Sequence, residues 1–206
     1  VLLGNPPKEF RATSTTITQL VDTAGKLSQN RRGALIVVDL GSDLRPEDFL
    51  YSGTNIEAQL STDLLINLFA TDTPLHDGAV LVKGNKIISA GVILPLSRQG
   101  ISRYGTRHLA ALGITERFDR CICIVVSEET GTLSLANQGK LERPITSSRL
   151  QELLVNLIGN QNSTGANKAS LSKNILSQKT DSGDNIISNI NKKESEKSEV
   201  FINNKD

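Results

Sequence analysis

Residues 121–126 read Cys-Ile-Cys-Ile-Val-Val, six in a row without a charged or amide side chain. A strand with one face in water alternates apolar and polar residues. An unbroken apolar run of this length fits a strand covered on both faces. A second run, Ala-Leu-Ile-Val-Val at 34–38, ends at Asp39 and has the same character. Two such strands need helices around them, which confines the chain to the layered α/β class.

Helical periodicity supplies the covers. Ile17, Leu20, Val21, Ala24 and Leu27 fall at three- and four-residue spacing and predict an amphipathic helix over 15–29. Ser61 is the predicted N-cap of a helix holding Leu64, Leu65, Leu68 and Phe69. Gly105-Thr106 precedes a short predicted helix through Ala110, Ala111 and Leu112. A closing helix is predicted over 146–158, with Ser148 and Gln151 at capping-box spacing. Residues 79–82 and 87–94 flank Lys83-Gly84-Asn85-Lys86 and predict a hairpin. A further strand is predicted over 132–136, then a turn at 137–140. Hairpin strands exclude a purely parallel, doubly wound sheet. The expected fold is therefore a single α/β domain over 15–159, with a mixed central β-sheet surrounded by helices.

That domain is flanked by a stub, 1–14, and by residues 160–206. The latter are dominated by Asn, Ser and Lys, with Phe201 their one aromatic. They cannot bury enough apolar surface to offset an ordering cost of about 1–2 kcal/mol per residue, and a disordered tail is expected. No apolar run approaches the roughly 20 residues that span a bilayer.

Charge and composition remove several functions. Lys and Arg number 23 against 22 Asp and Glu, a formal charge of +1, so no broad positive field draws nucleic-acid polymers or anionic membranes. Aromatic residues make up only 3%, too few for a base-stacking platform. Two Cys exclude a disulfide scaffold. Cys121 and Cys123 alternate within one strand and are read as core residues pointing to opposite faces. A metal or redox pair would need a turn between them.

Three polar clusters sit at element boundaries. Leu75-His76-Asp77-Gly78-Ala79 immediately precedes a strand. Its carboxylate and imidazole suit a divalent cation, and Gly78 lets a ligand approach the backbone. On composition alone, the simpler reading is a His-Asp-Gly turn leading into a strand. Tyr104-Gly105-Thr106-Arg107-His108 opens a helix, where N–H groups and the helix dipole attract anions. Thr106 and Arg107 add a hydroxyl and a guanidinium suited to phosphate. The alternative is a capped helix with a solvated Arg. Ser127-Glu128-Glu129-Thr130-Gly131 follows the apolar strand, at the strand end where α/β sheets bind ligands; otherwise it is a polar loop. Both histidines of the chain fall in these clusters. Together they fit metal-assisted phosphoryl transfer on a nucleotide, and equally a metal-dependent hydrolase.

The motifs PLHDGAV (74–80), ILPLS (93–97), GTRHLAALGITE (105–116) and VSEETG (126–131) occur in the order and spacing of the diadenylate cyclase domain. RRGALIVV (31–38) and LSTDLLINLF (60–69) add to the match. Over about residues 15–154 the chain resembles the membrane-associated cyclic di-AMP synthases. The resemblance implies condensation of two ATP into cyclic di-AMP and two pyrophosphates, with Mg²⁺, Mn²⁺ or Co²⁺. It implies a face-to-face homodimer, because each domain holds one ATP. It also implies a cytoplasmic domain, any membrane anchor lying before Val1.

Carried over position by position, Asp77 helps activate the ribose 3′-hydroxyl through a metal, and Gly78 and Ala79 let backbone meet nucleotide. His76 and Glu129 complete the metal ligands with Asp77. Leu94 offers its carbonyl to adenine. Thr106, Arg107 and His108 hold the triphosphate, with Arg107 and His108 counted as catalytic. Ser127 and Glu128 are further nucleotide neighbours. Two positions depart from the family pattern. The Arg-His-Arg signature reads Arg107-His108-Leu109, which makes a catalytically impaired nucleotide-binding module the alternative; Arg98 or Arg103 is the candidate substitute cation. Ile93 stands where the subtype often has Tyr.

Overall fold

The computed structural model describes residues 8–99 and 104–159. Arg103 and the expected tail lie outside these residues. Seven strands form one sheet: β1 (Ala34–Asp39), β2 (Thr54–Gln59), β3 (Ala79–Lys83), β4 (Lys86–Val92), β5 (Cys121–Val126), β6 (Leu133–Asn137) and β7 (Lys140–Ile145). Their order is β2-β4-β3-β1-β5-β6-β7. β1 and β3 pair in parallel, and every other neighbouring pair is antiparallel. The sheet is mixed, as the hairpin reading requires.

The apolar runs occupy the centre. All six residues of β1 and all six of β5 are buried. Alternate residues feed two cores. Ile36, Val38, Ile122 and Ile124 face α1 (Lys8–Gln29) and α4 (Ser147–Gly159), which bring Leu20, Leu27, Leu150 and Leu154. The helix α2 (Thr62–Leu68) contributes Leu65 and Leu68 to the same core. Leu35, Val37, Cys121, Cys123 and Val125 face α3 (Thr106–Arg117) through Ala110, Ala111 and Ile114. Three helices thus cover one face and one helix the other.

Cys121 and Cys123 share the α3 face, so the opposite-face reading is wrong. Side chains in a strand repeat every two residues, which puts i and i+2 together. Burial pushes the Cys123 thiol well above its ordinary value, and the neighbouring Cys121 adds to this.

Ser61 caps α2 as expected, its Oγ accepting from the Leu64 N–H at 3.2 Å. α4 is capped differently: Thr146 Oγ1 accepts from the Arg149 N–H at 3.1 Å, so Ser148 and Gln151 lie inside the helix. α1 starts earlier than periodicity indicates, and α3 runs on to Arg117. Both sheet edges are additions. β2 is largely exposed, and β7 holds charges and Pro144. Neither edge carries the apolar pattern that marks β1 and β5.

Candidate functional site

Register brings three loops to one end of the sheet. Ala34 pairs with Val126, and Ile36 pairs with Val80. The loop after β5 (127–131), the loop before β3 (76–78) and Gly33 before β1 therefore end together. The first two are separated by one strand, about 10 Å at the usual interstrand spacing.

The N-terminus of α3 reaches this end. Gly105 is its N-cap and contributes no capping side chain, so the N–H groups of Thr106 and Arg107 have no acceptor within the helix. Arg107 crosses to the loop after β5, and its Nη1 donates to Glu128 Oε2 at 2.9 Å. The guanidinium lies against Gly33: a Cβ there would sit 2.5 Å from Nη1 and 2.7 Å from Cζ. Ser127 shapes the loop, its Oγ accepting from the Thr130 N–H and its carbonyl from the Gly131 N–H.

These elements enclose a cleft of about 550 Å³ whose walls include Thr106, Arg107, His108, Ser127, Glu128 and Glu129. Two of the three sequence clusters, 104–108 and 127–131, thus meet in one cleft. Arg143 of β7 completes the wall. Sequence reasoning missed it because its strand was not anticipated.

His108 is 6% exposed, its Nε2 hydrogen-bonded to Ser134 Oγ at 3.1 Å and its ring stacked on Tyr104. Burial, helped by the charge of Arg143, lowers its pKa to about 4. It is a neutral imidazole at pH 7 and adds no positive charge to the cleft.

The remaining candidates lie outside these walls. Gly78 has φ +105°, and a Cβ would strike the backbone of Gly91 and Val92 at 2.8 Å, so a glycine is required there. Ala79 and Leu94 are buried in the α3-side core. Leu109 is only 8% exposed and is not a wall of the cleft. Arg98 is exposed and is likewise absent from the walls.

His76, Asp77 and Glu129 are not gathered into one group: among the described residues no three His, Cys, Asp or Glu side chains form a metal-binding cluster. Mg²⁺ commonly takes only one or two carboxylates, with substrate phosphates completing its shell. Asp77 and Glu129 are exposed carboxylates on loops at the same sheet end. The Thr73 carbonyl can only accept, so His76 Nδ1 donates to it, and Nε2 is the ring nitrogen that would face a metal. The donor set fits an ion shared with phosphate.

A cleft between a helix N-terminus and the carboxyl end of a strand, flanked by guanidinium groups, defines an anion-binding α/β domain. More particularly, the chain belongs to the DAC family, described as DisA bacterial checkpoint controller nucleotide-binding, whose model matches residues 21–141. It is 40% identical over 153 residues to the cyclic di-AMP synthase CdaA of Bacillus subtilis, covering 73% of this chain and 54% of that protein. It is 47% identical over 131 residues to a diadenylate cyclase of Listeria monocytogenes, covering 63% of this chain and 47% of that one. The chain thus spans about half the length of these relatives. Among solved structures, a double mutant of Staphylococcus aureus DacA matches with TM-score 0.64 and 36% identity, over 70% of this chain and 96% of that one. A Bacillus cereus protein described as a hypothetical membrane spanning protein matches with TM-score 0.58 and 41% identity, over 63% of each chain. Among the described residues no helix is long and apolar enough to cross a membrane.

Proposed function

We propose that the chain is a diadenylate cyclase domain that joins two ATP into cyclic di-AMP and releases two pyrophosphates. The observation that carries this reading is the shared cleft, which unites Thr106 and Arg107 with Ser127, Glu128 and Glu129 at a helix N-terminus. The triphosphate accepts from the first-turn N–H groups of α3, the Thr106 hydroxyl and the Arg107 guanidinium. Leu94 presents its carbonyl to the adenine amino group. Gly78 and Ala79 bring backbone close to the ribose, and Asp77 draws the proton from the 3′-hydroxyl. His76, Asp77 and Glu129 would hold a divalent ion, which supplies charge neutralisation at the phosphates. His108, neutral and buried, shapes the wall beneath the phosphates.

Joining two nucleotides needs the 3′-hydroxyl of each near the α-phosphate of the other. Two copies of the chain facing each other meet that need by proximity. The impaired-module alternative rested on Leu109. Leu109 is not a wall of the cleft, and Thr106, Arg107 and both carboxylates of the loop after β5 are present there, which favours the active reading. Any attachment to a membrane belongs to sequence outside the described residues.

The test is incubation of the purified chain with ATP and Mg²⁺, Mn²⁺ or Co²⁺, with products read by mass spectrometry. Cyclic di-AMP is expected. Its absence from a dimeric preparation refutes the reading, and release of AMP or phosphate instead identifies a phosphohydrolase. Asp77→Asn keeps the shape and removes the charge. It should lower turnover at least a hundredfold, and wild-type turnover would remove Asp77 from the mechanism.

A further inference from the structure

The cleft has an unbalanced charge unless β7 is counted. Its charged wall residues are Arg107, Glu128, Glu129 and Arg143, His108 being neutral at pH 7. Arg107 is already paired with Glu128 at 2.9 Å. Without Arg143, two carboxylates would outnumber one guanidinium in a site meant for a polyanion.

A bulge aims Arg143. Leu135 pairs with Glu142 and Leu133 with Ile145, so β7 uses three steps where β6 uses two. Such an extra residue bends the strand and re-aims a side chain. Glu142 bonds to Arg149 of α4 at 2.8 Å, whereas Leu141 packs into the α3-side core. Arg143, two residues beyond Leu141, goes to the α3 side. Its Cζ lies 5.6 Å from the centroid of the Tyr104 ring, just ahead of the α3 N-terminus. None of the ion pairs among the described residues involves Arg143.

We propose that Arg143 is a phosphate-binding residue of this site, supplying from β7 the second guanidinium that position 109 does not. The proposal rests on the cyclase reading for its ligand, a nucleoside triphosphate. Tyr104 holds the guanidinium by its ring face and leaves the N–H edge for phosphate oxygens.

Calorimetry with the whole chain in Mg²⁺ tests it, using ATP and adenosine as probes. Wild type binds ATP if the cyclase reading is right; no ATP binding overturns that reading itself. Arg143→Gln should then weaken ATP at least tenfold and leave adenosine unchanged, with Arg143→Lys intermediate. ATP affinity equal to wild type in Arg143→Gln overturns the proposal. Equal weakening of ATP and adenosine also overturns it, since that is the mark of a merely structural residue.

Discussion

Gly33→Ala tests how the Arg107 guanidinium is held. The new Cβ would lie 2.5 Å from Arg107 Nη1, 2.7 Å from Cζ and 3.0 Å from Glu128 Cβ. An ordinary contact needs about 3.5 Å, so the guanidinium must move by roughly 1 Å. Gly33 does not have the positive φ that would strain an alanine. The displaced pair is partly exposed, 27% and 60% for the two side chains, and such pairs contribute only about 0–1 kcal/mol. Stability should therefore change by less than about 1 kcal/mol, which alanine's lower unfolded-state entropy partly offsets. Phosphate binding should suffer more. A misplaced charge-assisted hydrogen bond costs about 1.5–3 kcal/mol, a weakening of roughly ten- to a hundredfold. The assay is ATP calorimetry beside a thermal melt, in wild type, Gly33→Ala, Arg107→Ala and the double variant. If Gly33 acts through Arg107, the alanine has no further effect once Arg107 is gone. Unchanged ATP affinity in Gly33→Ala, or a full additional loss in the double variant, refutes the reasoning.

Stability should fall on acidification through His108. Its pKa is lowered from 6.5 to about 4 in the folded chain, so the unfolded chain binds more protons between these values. The contribution is complete above about pH 6.5 and is lost as pH falls towards 4, up to about 3 kcal/mol. His108→Gln should flatten denaturant midpoints across that window; an unchanged slope would count against it. Cys121 and Cys123, both fully buried, should not react with a thiol reagent in the native chain and should both react after denaturation. Rapid native labelling would show that the α3-side core opens.

The central strands and covering helices were legible because apolar runs and helical spacing report burial directly. β2 and β7 were not: edge strands bury little, and the Glu142, Arg143 and Pro144 of β7 resemble a loop. Missing β7 meant missing Arg143. The polar clusters were legible as element boundaries, and the structure joins two of them across the cleft. The support of Arg107 by Gly33 was not, since it arises from a contact between residues far apart in the chain. The reading of the two cysteines failed on a different ground, a misapplied strand period.

The outer edges of the sheet limit how two copies of this chain can meet. β2 and β7 are the two strands with one unpaired side, the surface that ordinarily recruits a neighbour's strand. Each carries a register irregularity against its single partner. Pro144 has no N–H to donate, and Glu142 and Arg143 charge the same strand. Irregular, charged, proline-bearing edges resist extension by a neighbour's backbone. Joining sheets edge to edge into a longer sheet is thereby discouraged, which leaves the ends and helical faces of the domain for the pairing that the proposed cyclase reaction would need. The cleft opens at one of those ends, the side from which the facing copy of the proposed cyclase would have to approach.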